Sequence, residues 1–427
     1  MSRTPSDEAA DLPPARMELR TGAIAAGGGC VARAEDGRVV FVRHALPGEL
    51  VVAEVTAVSA SFLRADAVDI VEASADRVAA PCPHAGPGRC GGCDFQHVTP
   101  EGQRTLKAAL VSEQLRRLAG DHRAVVVEAV PGDEDGLRWR TRVRFAVDRT
   151  GRLGLHAHRS HRVELVEHCA IATADVDGVG VGAHRWSGAR EVEVLTSGQG
   201  GVPVVSVQTG RRRLGDRPKV DAGRVVNGRT EREPHQLTVD VLGHRYRVSA
   251  GVFWQVHPGA PEALVQAVLE GIGARPGDRV LDLYSGAGLF TVALADVVGP
   301  GGSVTAVERS GRACADAVRN SSGQDQVTVV RHDVTAELVA GRVGEADLVV
   351  LDPAREGAGP AVMEALTSRR PAPRRMVYVS CDPASFARDL RVATEGGWTL
   401  SRLRAFDLFP MTEHVELVAV LRPPAGS

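Results

Sequence analysis

The sequence predicts an α/β protein. A doubly wound parallel sheet forms its C-terminal part, after a small closed β-barrel and a mixed α+β region. Three observations carry this. From about Gly251 onward, short apolar runs alternate with stretches of helical length, the pattern of successive β–α–β units. From about Met17 to Ala75 the chain reads as short alternating strands broken by glycine, which suits a five-stranded barrel of the oligonucleotide-binding kind. Between them lie a cysteine-rich loop, one amphipathic helix and scattered strand-like runs with no common period. The expected organisation is a disordered tail (1–16), the barrel (17–75), a central domain (76–249) and the α/β domain (250–427).

Composition bounds the function. The 427 residues are 43% hydrophobic and 24% charged, ordinary globular values. No apolar run reaches the roughly 18 residues of a membrane span. The opening "MSRTPSDEAADLPPARM" is polar and lacks a hydrophobic signal core. A cytoplasmic protein without a membrane partner is expected. The formal net charge is −2, so any nucleic-acid contact must use local basic patches. Lys107 and Lys219 are the only lysines; the other basic side chains are arginines or histidines. Seven cysteines in so long a chain do not form a disulfide scaffold. A monomer is expected.

In the barrel, "RVVFVRHALPGELVVAEVTAV" gives two β-rich runs joined by a Pro-Gly turn. The central region opens on "CPHAGPGRCGGC", a C-x7-C-x2-C pattern through Cys82, Cys90 and Cys93. Three close thiolates suit a soft metal and need one more ligand to close the site. Cys169 in "VEHCAI" is the candidate, and spacing alone does not choose zinc over an iron–sulfur cluster. The helix "PEGQRTLKAALVSEQLRRLAG" follows, then the strand-like "RTRVRFAVD" and "HRVELVEH". The polar, basic "TGRRRLGDRPKVDAGRVVNGRTEREPH" reads as an exposed insertion.

In the C-terminal domain, "LDLYSGAGLFT" puts Gly286 and Gly288 in a turn from strand to helix. Glycines there let a ligand approach the backbone over a helix N-terminus. Thr291 stands where a dinucleotide fingerprint needs its third glycine, which favours a nucleoside cofactor without phosphates. Glu308, roughly 20 residues on at the end of the next strand, suits ribose hydroxyls. This favours S-adenosylmethionine over NAD or a turn without ligand. Tyr284, Glu308, Asp352 and Cys381 each end a parallel strand, so they should line one sheet edge, where such folds bind ligands. The final "WTLSRLRAFDLFPMTEHVELVAVLRP" reads as two strands joined by "FPMTEH", which brings Glu416 to the same edge.

Cys381 sits in "VYVSCDPASFARDL", between a strand and a helix. Asp382 suits the helix cap and Pro383 its first turn. A helix N-terminus stabilises a thiolate; the plain alternative is an inert buried thiol. A thiolate added to C6 of a pyrimidine makes C5 nucleophilic enough to take a methyl group. A base must then remove the C5 proton before the sulfur can leave.

The motifs "FWQVHPGAPEAL", "LDLYSGAGLFT", "LDPAREG", "VYVSCDPASFARDL" and "FDLFPMTEHVELVAVL" closely resemble those of the RNA uracil-5-methyltransferases, in order and over most of the chain. The resemblance implies a Rossmann-like, S-adenosylmethionine-dependent methyltransferase domain. It implies Cys381 as nucleophile and Glu416 as base. Gln255, Tyr284, Glu308, Asp333 and Asp352 would contact the cofactor, together with the turn at Gly286 and Gly288. The barrel resembles a TRAM domain, implying RNA binding through arginines such as Arg38 and Arg43, with few aromatics beyond Phe41 and Phe62. Cys82, Cys90, Cys93 and Cys169 would carry a 4Fe–4S cluster, with zinc as the alternative. The barrel and cysteines point to 23S rRNA over tRNA. Departures are Phe253-Trp254-Gln255 for the usual Phe-Phe-Gln, Ser285 for a cysteine, and Leu289 for an asparagine. Two other readings are an RNA-binding assembly factor and a DNA cytosine-5-methyltransferase. Retention of Cys381 and Glu416 opposes the first, and the late Ser-Cys-Asp-Pro position of the thiol opposes the second.

Overall fold

The computed structural model describes residues 16–210, 214, 215 and 217–425. The first 15 residues of the expected tail, and residues 211–213 and 216 of the basic insertion, lie outside them. Two compact units form. One comprises the chain up to Leu106 with His156–Glu164 and Met411–Glu413, and the other comprises the remainder.

In the first unit β1 (Arg16–Arg20), β2 (Cys30–Arg33), β3 (Val39–Arg43), β4 (Leu50–Val58) and β5 (Phe62–Glu72) make one sheet in the order β1-β4-β5-β3-β2. Period-2 alternation drives it: Val40 and Val42 are buried, whereas Val39, Phe41 and Arg43 are half-buried. The inward residues Leu19, Val40, Val42, Val51 and Leu63 share one core. The Pro-Gly turn is present, with Gly48 at φ +86°, a conformation glycine adopts without penalty. α1 (Pro100–Gln114) follows.

β6 (Val127–Ala129) precedes a seven-stranded sheet. That sheet holds β7 (Arg142–Val147), β8 (Leu153–His156), β9 (Val163–Leu165), β10 (Ala189–Leu195), β11 (Val204–Thr209), β12 (Gly223–Val226) and β13 (Arg229–Arg232), with α2 (Ala174–Gly178) inserted. β14 (Gln236–Val241) and β15 (His244–Ser249) form a hairpin whose two turn residues, Leu242 and Gly243, both have positive φ, as a two-residue hairpin turn requires.

The α/β part follows: α3 (Ala260–Ile272), β16 (Arg279–Leu283), α4 (Leu289–Val298), β17 (Ser303–Glu308), α5 (Gly311–Asn320), β18 (Val327–Arg331), β19 (Leu348–Leu351), α6 (Pro360–Thr367), β20 (Arg375–Ser380), α7 (Pro383–Glu395), β21 (Thr399–Asp407) and β22 (Glu416–Arg422). The sheet order is β18-β17-β16-β19-β20-β22-β21-β6. β16 to β20 run parallel, and β22 runs antiparallel to both its neighbours. Both faces are covered. Along β20, Val377 and Val379 join one core with Leu264 and Phe290, while Met376 and Tyr378 join the other with Phe386 and Trp398. A strand buried on both faces reads as a continuous apolar run, which is why "LVVL" and "MVYV" were recognisable. The order reverses between β16 and β19, and the crevice at such a switch point is the usual ligand site. Among the described residues no helix is long and apolar enough to cross a membrane.

Candidate active site

The turn from β20 to α7 is built as its sequence suggests. An Asp382 carboxylate oxygen accepts from the Ser385 N–H at 2.7 Å, and Pro383 takes the first helical position. Cys381, between them, is half-buried. The expected activation by the helix end does not dominate. Burial pushes the thiol up to about 12, the negative charges of Glu416 and Asp352 add to this, and Arg355 opposes them. Without RNA, the sulfur is a protonated thiol at neutral pH.

Backbone pairing sets its counterpart. In the antiparallel ladder Ser380 faces Leu417, and one further step of the same register sets Cys381 against Glu416, the first residue of β22. Glu416 is 3% exposed. Burial first, then the Asp352 charge, hold its carboxyl well above the ordinary range, and Arg355 again opposes. Thiol and carboxyl each raise the cost of charging the other, so the site favours at most one negative charge.

Two further acids share this character, Asp282 and the half-buried Asp352. Asp282 is fully buried; Thr291 Oγ1 donates to its Oδ2 at 2.5 Å, while Oδ1 has no partner. Burial pushes Asp282 up to about 7, and burial with the neighbouring Asp282 charge does the same to Asp352. Both acids are raised above their unfolded range, so their contribution to stability is complete below about pH 4 and is lost as pH rises through about 7. Asp282→Asn should remove its share. Its melting temperature should fall less than wild type between pH 5 and pH 8, and parallel pH curves would refute this assignment.

Arg355, absent from the expected site, is the cation common to Cys381 and Glu416. It lies on the loop after β19, and one guanidinium nitrogen sits 2.8 Å from Nε2 and 3.2 Å from Nδ1 of His414. Burial, then Arg355, Lys107 and Arg140, push His414 down to about 4, so its ring is neutral at pH 7. The loop is pinned to α7. The Ala358 N–H donates to Tyr378 Oη at 3.0 Å and to Asp389 at 2.8 Å, and Tyr378 Oη donates to Asp389 at 2.6 Å. Gly357 has φ +86°, and a Cβ there would lie 2.6 Å from the Asp389 carboxylate. Lys107 was also missed as a structural residue. Fully buried, it donates to Asp407 at 2.5 Å and to the Phe409 carbonyl at 2.9 Å, fixing the end of β21 ahead of the loop to Glu416. Its sequence signal was weak, because the partners stand 300 residues apart.

At the glycine turn, Tyr284, Gly286 and Gly288 all have positive φ. The Gly286 N–H donates to Glu308 at 3.2 Å, and the Ser310 N–H donates to its other oxygen at 2.6 Å. A Cβ on Gly286 would meet nothing within 4 Å, and Ser285 Oγ is buried without a partner. Open space beside unpartnered polar atoms, Ser285 Oγ and Asp282 Oδ1, fits a polar cofactor. Tyr284, Glu308 and Asp352 stand at or just past strand ends, as expected; Asp333, exposed, lies two residues beyond β18. Gln255 is placed differently. It is buried in the segment between β15 and α3, lining a small cavity with Thr141, Arg142, Thr196 and Trp254.

Cys82, Cys90 and Cys93 are half-buried in the first unit, and Cys169 is buried in the second. Among the described residues no group of three or more His, Cys, Asp or Glu side chains is arranged to hold a metal ion.

A doubly wound sheet with a glycine turn after its first strand, an acid ending the second and one antiparallel strand near its edge defines the class: a class I S-adenosylmethionine-dependent methyltransferase fold. Comparisons agree. Residues 23–68 match the TRAM domain model, and residues 254–352 match that of protein-L-isoaspartate(D-aspartate) O-methyltransferase. A Streptomyces avermitilis protein named as an uncharacterized RNA methyltransferase is 45% identical, over 96% of this chain and 98% of its own. The 23S rRNA (uracil(1939)-C(5))-methyltransferase RlmD of Shewanella halifaxensis is 30% identical, over 90% of this chain and 91% of its own. The crystal structure of Pyrococcus abyssi tRNA (uracil-54, C5)-methyltransferase with S-adenosyl-L-homocysteine shares the fold. Its TM-score is 0.71 at 22% identity, covering 95% of this chain and 100% of that one. The chain belongs to this family of RNA methyltransferases, an enzyme family with an N-terminal TRAM domain.

Proposed function

We propose that this protein methylates C5 of uridine in structured RNA, 23S rRNA in preference to tRNA, with Cys381 as nucleophile and Glu416 as base. The observation that carries this reading is the β20–β22 register, which sets the thiol against a buried carboxyl. Cys381 gives up its proton to solvent and its sulfur bonds to C6, while the electron pair of the C5–C6 double bond passes toward C5 and O4, leaving C5 electron-rich. Arg355, whose charge opposes the upward push on the thiol, is the group that favours the thiolate. Once the sulfur is a neutral thioether, its charge no longer opposes that of Glu416. The carboxylate then takes the C5 proton, and the C6–S bond breaks to return the thiolate.

S-adenosylmethionine supplies the electrophilic methyl group for C5 when bound. Gly286, Gly288 and Glu308 would hold it at the turn, with Tyr284, Asp333, Asp352 and Gln255 as further contacts. The RlmD relative supports 23S rRNA over tRNA. Mapping of 5-methyluridine by mass spectrometry in a strain lacking the gene tests the choice. Loss from 23S rRNA is expected, and loss from tRNA alone would overturn it.

The spacing of Cys82, Cys90, Cys93 and Cys169 supports a metal centre, and the family resemblance favours a 4Fe–4S cluster there over zinc; no step above uses it. Protein purified without oxygen should be brown, with iron and acid-labile sulfide. Colourless protein containing zinc alone would rule out the cluster.

A further inference from the structure

The outer face of the barrel sheet carries positive charge left over from the fold's own ion pairs. Val40, Val42, Leu63 and Ala65 point into the barrel core. The intervening Phe41, Phe62 and Arg64 therefore point outward, where all three are half-buried. β3 and β5 run parallel with Phe41 opposite Arg64, and Phe62 stands two residues from Arg64 on the same strand, so the three side chains meet. The two rings pack edge to face, with centroids 5.6 Å apart. The Arg64 guanidinium carbon lies 5.1 Å from the Phe62 centroid and 6.0 Å from that of Phe41.

A second arginine reaches the same patch. The segment His156–Glu164 belongs to the barrel's compact unit. It turns at Ala157–Ser160, where the Ser160 N–H donates to the Ala157 carbonyl at 3.1 Å, and Arg159 sits exposed in that turn at φ +48°. The Gly91 N–H anchors the turn by donating to the His156 carbonyl at 3.0 Å. Burial, then the charge of Arg159, makes Arg64 less basic. Burial, then Arg43, Arg159 and Arg64, pushes the neighbouring His158 down to about 4, so its ring adds no charge at pH 7. The arginines singled out in the sequence are already engaged, Arg38 with Asp36 at 2.6 Å and Arg43 with Asp94 at 3.5 Å. Among the described residues neither Arg64 nor Arg159 has a carboxylate partner. Two like charges held close together repel until an anion joins them.

We propose that Arg64 and Arg159 together grip one backbone phosphate of the bound RNA. A guanidinium can meet a ring with its face and still offer its N–H edge, the edge that pairs with a phosphate through two parallel hydrogen bonds. Phe41 and Phe62 then serve to hold Arg64 in place rather than to stack on bases, and a side chain ordered in advance loses less freedom on binding. Phosphate contacts position a nucleic acid without reading its sequence. The grip would therefore set how RNA lies on the barrel, not which uridine is chosen. The proposal rests on RNA being the substrate, but not on the chemistry at Cys381.

The test uses the full chain with fluorescein-labelled uridylate and adenylate RNA oligomers of equal length, and follows fluorescence anisotropy across a salt titration. Arg64→Gln should weaken binding of both oligomers by the same factor, about tenfold at low salt, as expected for a hydrogen bond to a charged group. The slope of log affinity against log salt should become shallower by about 0.7, the value for one phosphate of a single strand. Arg159→Gln should do the same; it alters only an exposed turn residue and serves if the Arg64 variant is poorly folded. The double variant should lose little more than either alone, because both side chains act on one phosphate. Phe62→Leu, which keeps both charges, should weaken binding and leave the slope unchanged. Losses that multiply fully in the double variant, or a loss confined to one oligomer, would overturn the proposal. Unchanged affinity and slope in both single variants would overturn it too, and would leave the arginine pair to an acidic protein surface. Absence of any RNA binding by wild type would remove the RNA reading and the grip with it, whereas unaltered variants of a protein that binds remove the grip alone.

Discussion

Cys381→Ala should abolish methyl transfer, with a loss of at least about a thousandfold, because no other group replaces a covalent nucleophile. The diagnostic form uses RNA carrying 5-fluorouridine. The sulfur still adds to C6 and C5 still takes a methyl group, but fluorine cannot leave as a proton does. Wild-type protein should then form an adduct that survives denaturing electrophoresis, and Cys381→Ala should form none. An adduct in the alanine variant would place the nucleophile elsewhere. The free protein offers a second check. Its thiol is pushed up to about 12, so alkylation of the Cys381 peptide by iodoacetamide should be slow at pH 7. It should rise about tenfold per pH unit as the thiolate fraction grows. Arg355→Ala removes the opposing cation and should slow it further.

Glu416→Gln should stop the cycle one step later. The carboxamide keeps the shape of a side chain that burial already disfavours as an anion, so the fold should tolerate it. It cannot accept the C5 proton. Turnover should fall by about 10²–10⁴, the usual contribution of general-base catalysis. A covalent complex with ordinary, unfluorinated RNA should accumulate in its place, with the methyl group already on C5. Rapid turnover, or RNA that stays unmodified and unbound, would remove Glu416 from this role.

The sheet and its edge were legible because parallel strands buried on both faces appear as short unbroken apolar runs, each ended by a polar residue. Tyr284, Glu308, Asp352 and Cys381 could thus be assigned to strand ends from local pattern alone. Glu416 followed from topology, since the returning strand of a terminal hairpin must begin where the outgoing one stops. Arg355 escaped because nothing in "LDPAREG" marks which side chain turns toward the acids; the pinning of its loop by Tyr378 and Asp389 exists only once α7 has packed. Lys107 escaped for a different reason. Its amphipathic helix reads equally well with that lysine in solvent, and only the fold supplies Asp407.

The main-chain ladder between β20 and β22 makes the spacing of the last strand as critical as its identity. Side chains alternate faces along a strand. One extra amino acid inserted just after Glu416 would therefore leave the downstream pairing intact while rotating the acid toward the opposite layer of helices. A deletion at that point would do likewise. Gene variants in this family that preserve every reactive group but alter the length of that segment by one codon should be catalytically silent proteins with native-like folds.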